Sequence, residues 1–127
     1  MKTFISLFAL ILSLTAQTNP ATWYLNDTSG NGIQSATNNA SGEYSTTMGY
    51  ESTASGVYST AMGWQTTASG NLSTAMGNYT EASGVNSTAL GYRTTARGNW
   101  STAMGWQTEA SSLHSTAMGI NTTASGN

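Results

Sequence analysis

Ser101-Thr102-Ala103-Met104-Gly105 is the stretch around which this chain is organised. It recurs as Ser45-Thr46-Thr47-Met48-Gly49, at residues 59–63 and 73–77, as Ser87-Thr88-Ala89-Leu90-Gly91, and at residues 115–119. Each copy begins 14 residues after the last. Between the copies lies a second stretch: Ala54-Ser55-Gly56, Ala68-Ser69-Gly70, Ala82-Ser83-Gly84, Ala96-Arg97-Gly98, Ala110-Ser111-Ser112 and Ala124-Ser125-Gly126. The unit is Ser-Thr-Ala-Met-Gly-x-x-Thr-x-Ala-Ser-Gly-x-x, with its places numbered one to fourteen from the first Ser. A fixed period of this kind is the signature of a repeat architecture.

Glycine recurs every seven residues from Gly56 to Gly98, a spacing that invites a coiled-coil reading. That reading fails. Gly costs about 1 kcal/mol at each helical site, and no charged pairs flank the apolar places. Collagen needs Gly at every third residue. Two short strands per unit fit better, Thr-Ala-Met before one Gly and Thr-x-Ala-Ser before the other. Because Gly tolerates positive φ, it is expected to turn the chain at both ends of the unit. Fourteen residues then make one flat coil with two strands and two tight turns. Coils stacked roughly 4.8 Å apart give parallel, in-register sheets, about 30 Å long for six units. The expected fold is all-β, a single-domain parallel β-roll of 14-residue coils.

Strand alternation sets the side-chain directions. A coil this small admits only small residues inside, so Ala61, Ala75, Ala89 and Ala103 are expected to point in, opposite Ala68, Ala82, Ala96 and Ala110. The inward hydroxyls of Ser59, Ser73, Thr66 and Thr80 can bond to backbone or to the same place one coil away. Met48, Met62, Met76, Leu90, Met104 and Met118 are left as an outward stripe, read as an oligomer interface. Such a patch on a lone chain marks a contact surface. Each side chain fully buried there contributes about 1.5–3 kcal/mol, and a second copy is the simplest partner. The opposite arrangement, Met inward and Ala outward, needs a wider coil.

The totals agree with a stacked structure. Only 6% of the 127 residues are charged, against roughly 25% in ordinary soluble domains, so Ser, Thr, Asn, Gln and Gly cover the surface. A net charge of −2 and the lack of a basic run argue against nucleic acid and anionic membrane surfaces as partners. With no cysteine, disulfides and thiolate metal sites are excluded. Lys2, the apolar run Phe4 to Leu14 and Thr15-Ala16-Gln17 read as a signal peptide over residues 1–16, too short for a membrane span. Residues 17–30 read as a cap or linker, with Trp23-Tyr24-Leu25 as a short strand or plug over the stack. Residues 31–44 read as a degenerate repeat. Residues 45–127 hold six repeats, truncated or uncapped at the C-terminus.

The repeats resemble the YadA-like heads of trimeric autotransporter adhesins. That family's unit is also 14 residues, with Ser-Val-Ala-Ile-Gly followed by Ala-x-Gly, matched here by Ser-Thr-Ala-Met-Gly and Ala-Ser-Gly. The resemblance covers Ser45 to Asn127 and extends weakly over residues 31–44. It implies a left-handed β-roll, a homotrimer, and a secreted or bacterial cell-surface location. It also implies that the apolar pair lines the trimer contact, made more polar here because Thr replaces Val. It transfers no specific ligand.

Nothing in the sequence assembles a catalytic, cofactor or metal site. His114 is the only histidine. Glu81 and Glu109 share the ninth place two coils apart, with Thr95 between them on a flat face. The variable turns carry the information. The sixth place reads Tyr50, Trp64, Asn78, Tyr92, Trp106, Ile120, and the fourteenth reads Tyr44, Tyr58, Leu72, Asn86, Trp100, His114. Trp64, Tyr92, Trp100 and Trp106 are the candidates for facing an extracellular protein or glycan. The same aromatics can instead pack on one another or shield the seam between chains. Arg93 and Arg97 form the only basic spot, read as solvated. The reading is a self-assembling, adhesin-like surface module. Two alternatives stand: a rigid spacer of a surface or phage-type fibre, and an ice-binding solenoid using the Thr and Ser ladders at places nine and eleven.

Overall fold

The computed structural model describes Tyr24–Leu25, Ile33–Gln34 and residues 37–126. The expected signal peptide lies outside the described residues. Among them the chain is all strand. After β1 (Tyr24–Leu25), β2 (Ile33–Gln34) and β3 (Asn39–Ala40), five-residue and two-residue strands alternate. The five-residue strands are β4 (Thr46–Tyr50), β6 (Thr60–Trp64), β8 (Thr74–Asn78), β10 (Thr88–Tyr92), β12 (Thr102–Trp106) and β14 (Thr116–Ile120). The two-residue strands are β5 (Thr53–Ala54), β7 (Thr67–Ala68), β9 (Glu81–Ala82), β11 (Thr95–Ala96), β13 (Glu109–Ala110) and β15 (Thr123–Ala124). The long strands stack as a wide sheet in the order β1-β2-β4-β6-β8-β10-β12-β14, and the short ones form a second sheet from β3 to β15. The result is a parallel β-solenoid of 14-residue coils.

Register from β4 onward is that of the sequence period, with Thr60 on Thr74, Ala61 on Ala75 and Met62 on Met76. The first turn of the stack departs from it. Asn39 pairs with Thr53 at the full period, but Ile33 pairs with Thr46, thirteen places on. At that end β1 joins β2 antiparallel, the one antiparallel pair among the described strands. Tyr24–Leu25 thus lies as a strand on the edge of the wide sheet. Asn38 stitches the first coil to the second: Nδ2 donates to Gly49 O at 3.0 Å, and Oδ1 accepts from Ser52 N at 2.9 Å.

The core is two facing columns of alanine. Ala61, Ala75, Ala89 and Ala103 are fully buried, as are Ala54, Ala68, Ala82, Ala96 and Ala110. This excludes the arrangement with Met inside. Places one and eight add an inner lining of Ser and Thr. Ser59 Oγ and Ser87 Oγ donate back across their turns to Gly56 O and Gly84 O, each at 2.7 Å. Thr66 Oγ1 meets Ser52 Oγ of the coil below at 3.0 Å. The hydroxyls of Thr80, Thr94 and Thr108 are buried without a partner.

The turns correct one expectation. Glycines at the fifth place do have positive φ, from 117° to 128°, but those at the twelfth do not. There Gly is required by close approach: a Cβ on Gly84 would lie 2.1 Å from Gly98 O of the next coil. The left-handed turn positions belong to non-glycine residues at places seven and fourteen, such as Gln65 (φ 49°), Arg93 (φ 52°), Tyr58 (φ 56°) and Trp100 (φ 55°). The strand amides of one coil donate to the next, as Thr60 N to Ser73 O. The left-handed residue reverses that direction: Gln65 N donates back to Tyr50 O and Tyr58 N to Glu43 O, both at 2.8 Å. A hydrogen bond thereby offsets the backbone strain.

Candidate functional site: outer faces and turn edges

The wide sheet presents three outward columns, at places two, four and six. Place two is an unbroken run of Thr from Thr46 to Thr116, half-buried until the exposed last member. At place four, Met48 (37%), Met76 (39%) and Met118 (60%) are exposed, while Met62, Leu90 and Met104 are half-buried. All six stand in register, each beside the next. The sheet therefore carries a continuous apolar line beside a hydroxyl line along its length.

The second sheet's outer face is polar. Its ladder of Thr and Ser is interrupted by charge: Arg97 Nη1 lies 3.1 Å from Glu109 Oε1, and Arg97 Nε lies 3.9 Å from Glu81 Oε1. The three side chains are roughly half exposed, so the pairs stabilise little. They do make Arg97 a neutralised group. Arg93 is not beside it. Its guanidinium lies over the rings of Tyr79 and Tyr92, at 5.7 Å and 5.6 Å, on a turn edge.

The aromatics of the turn edges stack in pairs. At place six, Tyr92 and Trp106 are stacked at 4.3 Å, and Tyr50 and Trp64 are tilted by 51° at 5.3 Å. At place fourteen, Tyr44 stacks on Tyr58 at 5.0 Å and Trp100 on His114 at 5.1 Å. Trp64, Trp100 and Trp106 nonetheless remain about half exposed, so the rings pack on each other and still face outward. Of the four residues expected to face a ligand, Trp64, Tyr92 and Trp106 share one edge, and Trp100 lies on the other.

Sequence reasoning passed over two columns. Place seven (Glu51, Gln65, Tyr79, Arg93, Gln107) lies on the same edge as place six. Gln65 Nε2 donates to Glu51 Oε2 at 2.6 Å, and the Glu51 carboxylate holds the Tyr50 phenol above its ordinary pKa by hydrogen bonding and negative charge. Place thirteen carries Asn71 and Asn99, whose side-chain oxygens accept from Val57 N and Val85 N of the coil before, at 3.0 and 2.9 Å. The available signal was the variability of both places, which matches that of the sixth and fourteenth.

Among the described residues no group of three or more His, Cys, Asp or Glu could hold a metal ion, and no helix is long and apolar enough to cross a membrane. What the geometry defines is a parallel β-solenoid whose chemistry lies on exposed faces and edges. Comparison with family models makes this specific. The YadA head domain repeat matches at residues 40–66, 54–80, 68–94, 82–108 and 110–127, and the chain belongs to that family. No curated protein and no solved structure matches the chain.

Proposed function

We propose that this chain is an exported, non-enzymatic head module of the adhesin type. Residues 1–16 direct export, and copies of the chain, three in number, pack through Met48, Met62, Met76, Leu90, Met104 and Met118 with the neighbouring Thr column. The remaining surface is held out from the cell toward an extracellular protein or glycan. Membership of the YadA head family supports the adhesin-like role and the surface location. The observation that carries the self-assembly is the unbroken apolar line on the wide sheet. An alanine interior removes little apolar area per coil, whereas the Met line still has area to bury.

Light scattering on the mature chain tests this. A mass three times that of one chain is expected, lost when Met62, Met76 and Met104 are changed to Lys. A monomer indifferent to the three lysines refutes the assembly. The uniform register of the coils also favours a rigid spacer, which a screen against extracellular proteins and glycans separates from an adhesin. Charge at Glu81, Arg97 and Glu109 breaks the Thr and Ser ladder and weighs against an ice plane there; thermal hysteresis tests it directly.

A further inference from the structure

Charge is sorted by face in this chain. Every charged residue among those described (Glu43, Glu51, Glu81, Arg93, Arg97 and Glu109) lies at place seven, nine, eleven or thirteen. Places two, four and six, the outward columns of the wide sheet, carry no charge in any coil from Thr46 to Ile120. They hold Thr, then Met or Leu, then a column that includes Tyr50, Trp64, Tyr92 and Trp106. A surface depleted of charge and enriched in Trp, Tyr and Met has the composition of the buried core of a contact.

The size of the face decides how much of it a contact must use. Adjacent outward columns lie about 6.6 Å apart, and six coils span about 29 Å. The Met line alone therefore projects about 200 Å², and the three columns together about 600 Å². A stable contact buries about 800 Å² on each partner, so the Met line falls far short without both flanking columns. The rings are suited to burial. Trp64 and Trp106 are about half exposed, yet each is already held against a tyrosine. Side chains fixed in advance lose little freedom when a partner covers them.

Symmetry decides what the flanks meet. Three copies turned about an axis that runs beside the Met lines keep equivalent coils at one height. The place-two flank of one copy then faces the place-six flank of the next, and never its own kind. We propose that Tyr50, Trp64, Tyr92 and Trp106 are contact residues of the assembly, seated against the Thr column of the next copy. The Thr methyl groups repeat at the same coil spacing as the rings, because both columns belong to the same in-register strands. Ring and methyl therefore meet level by level. This inference rests on the self-assembly proposed above and extends it from the Met line to the whole wide face. It takes Trp64, Tyr92 and Trp106 out of the ligand-facing set and leaves Trp100 on the free edge.

Disulfide trapping in the full mature chain tests it, since the native sequence has no cysteine. Thr74 and Asn78 are the two flanks of one strand, about 13 Å apart along it. A disulfide joins Cα atoms no more than about 7 Å apart, so cysteines at these places cannot pair within a chain. The chain carrying both Thr74→Cys and Asn78→Cys is expected to oxidise to a covalent ring of three on non-reducing electrophoresis, while either single variant stays unlinked. Light scattering on the wild type runs in parallel. Trp64→Ser combined with Trp106→Ser should raise the concentration of half-dissociation at least about a hundredfold, whereas Trp100→Ser should not change it. Circular dichroism checks that these variants keep the fold. A wild-type trimer without the covalent ring in the double-cysteine chain overturns the aromatic contact and leaves the Met assembly standing. Covalent dimers from a single-cysteine variant indicate face-to-face pairing and also overturn it. A monomeric wild type removes both readings.

Discussion

Glycines at places five and twelve look identical in the sequence, yet the structure assigns them different tasks that substitution can separate. At Gly84 a Cβ would meet Gly98 O at 2.1 Å, with no positive φ to strain. Ordinary contact needs more than 3 Å, so the neighbouring coil must retreat by over 1 Å. Ser83 N and Gly84 N donate to Ala96 O at 3.0 and 3.3 Å, and neither bond survives that retreat. Two such bonds at about 1 kcal/mol each, with the loosened alanine contact, put Gly84→Ala at roughly 3 kcal/mol. Gly119 is the opposite case: φ is 117°, but the nearest atom is Thr122 Cγ2 at 3.6 Å. Gly119→Ala should cost only the backbone strain, about 1–3 kcal/mol. Gly77 combines φ 128° with Gly91 O at 2.0 Å and should be the worst site, at roughly 4–6 kcal/mol. Gly126, with nothing within 4 Å, is the control. Urea unfolding followed by circular dichroism, fitted with a nearest-neighbour repeat scheme, measures all four. A Gly84→Ala protein within about 0.5 kcal/mol of wild type would refute the idea that carbonyl contact sets the coil spacing.

Two further outcomes follow from named hydroxyls. Thr94→Val removes a buried, unpartnered Oγ1 without changing shape and should raise stability by about 0.5–2 kcal/mol in the same assay. Thr66→Val should not, because Thr66 Oγ1 is bonded to Ser52 Oγ; a loss of more than about 1 kcal/mol at Thr94 would show that its hydroxyl is paired after all. Folding raises the Tyr50 pKa through Glu51, so the protonated phenol stabilises the fold. That contribution is complete below the ordinary tyrosine range, near pH 10, and is lost as pH rises through the raised value. One phenol should ionise late in an ultraviolet titration of the wild type, and at the ordinary pH in Glu51→Gln. A wild-type titration with no late phenol sinks this account.

Much of the coil could be read from residue size. Ala at places three and ten forced those places inward, because nothing larger fits between strands joined by such short turns, and Met at place four was thereby turned out. Stacking of Tyr92 on Trp106 likewise follows from the period. Other features could not be read. Glycine's spacing of seven hides two causes, since an amino-acid letter does not distinguish a need for positive φ from a lack of room for a Cβ. Left-handed residues such as Trp100 and Arg93 carry no local signal, because the bond that compensates them comes from the coil before. The thirteen-place pairing of Ile33 with Thr46 arises where the repeat pattern has decayed. Arg97 looked like a member of a basic spot with Arg93 until the coil placed it between two carboxylates and turned Arg93 to another edge.

Every interior coil meets its neighbours through the same backbone groups and the same small side chains. A coil can therefore be duplicated or removed without altering what its neighbours touch. Tandem gain or loss of one repeat in the gene would lengthen or shorten the rod by one fixed step of about 5 Å and leave its cross-section unchanged. Reach becomes a heritable quantity that varies in integers. The turn columns, whose side chains face outward, can meanwhile diversify one coil at a time.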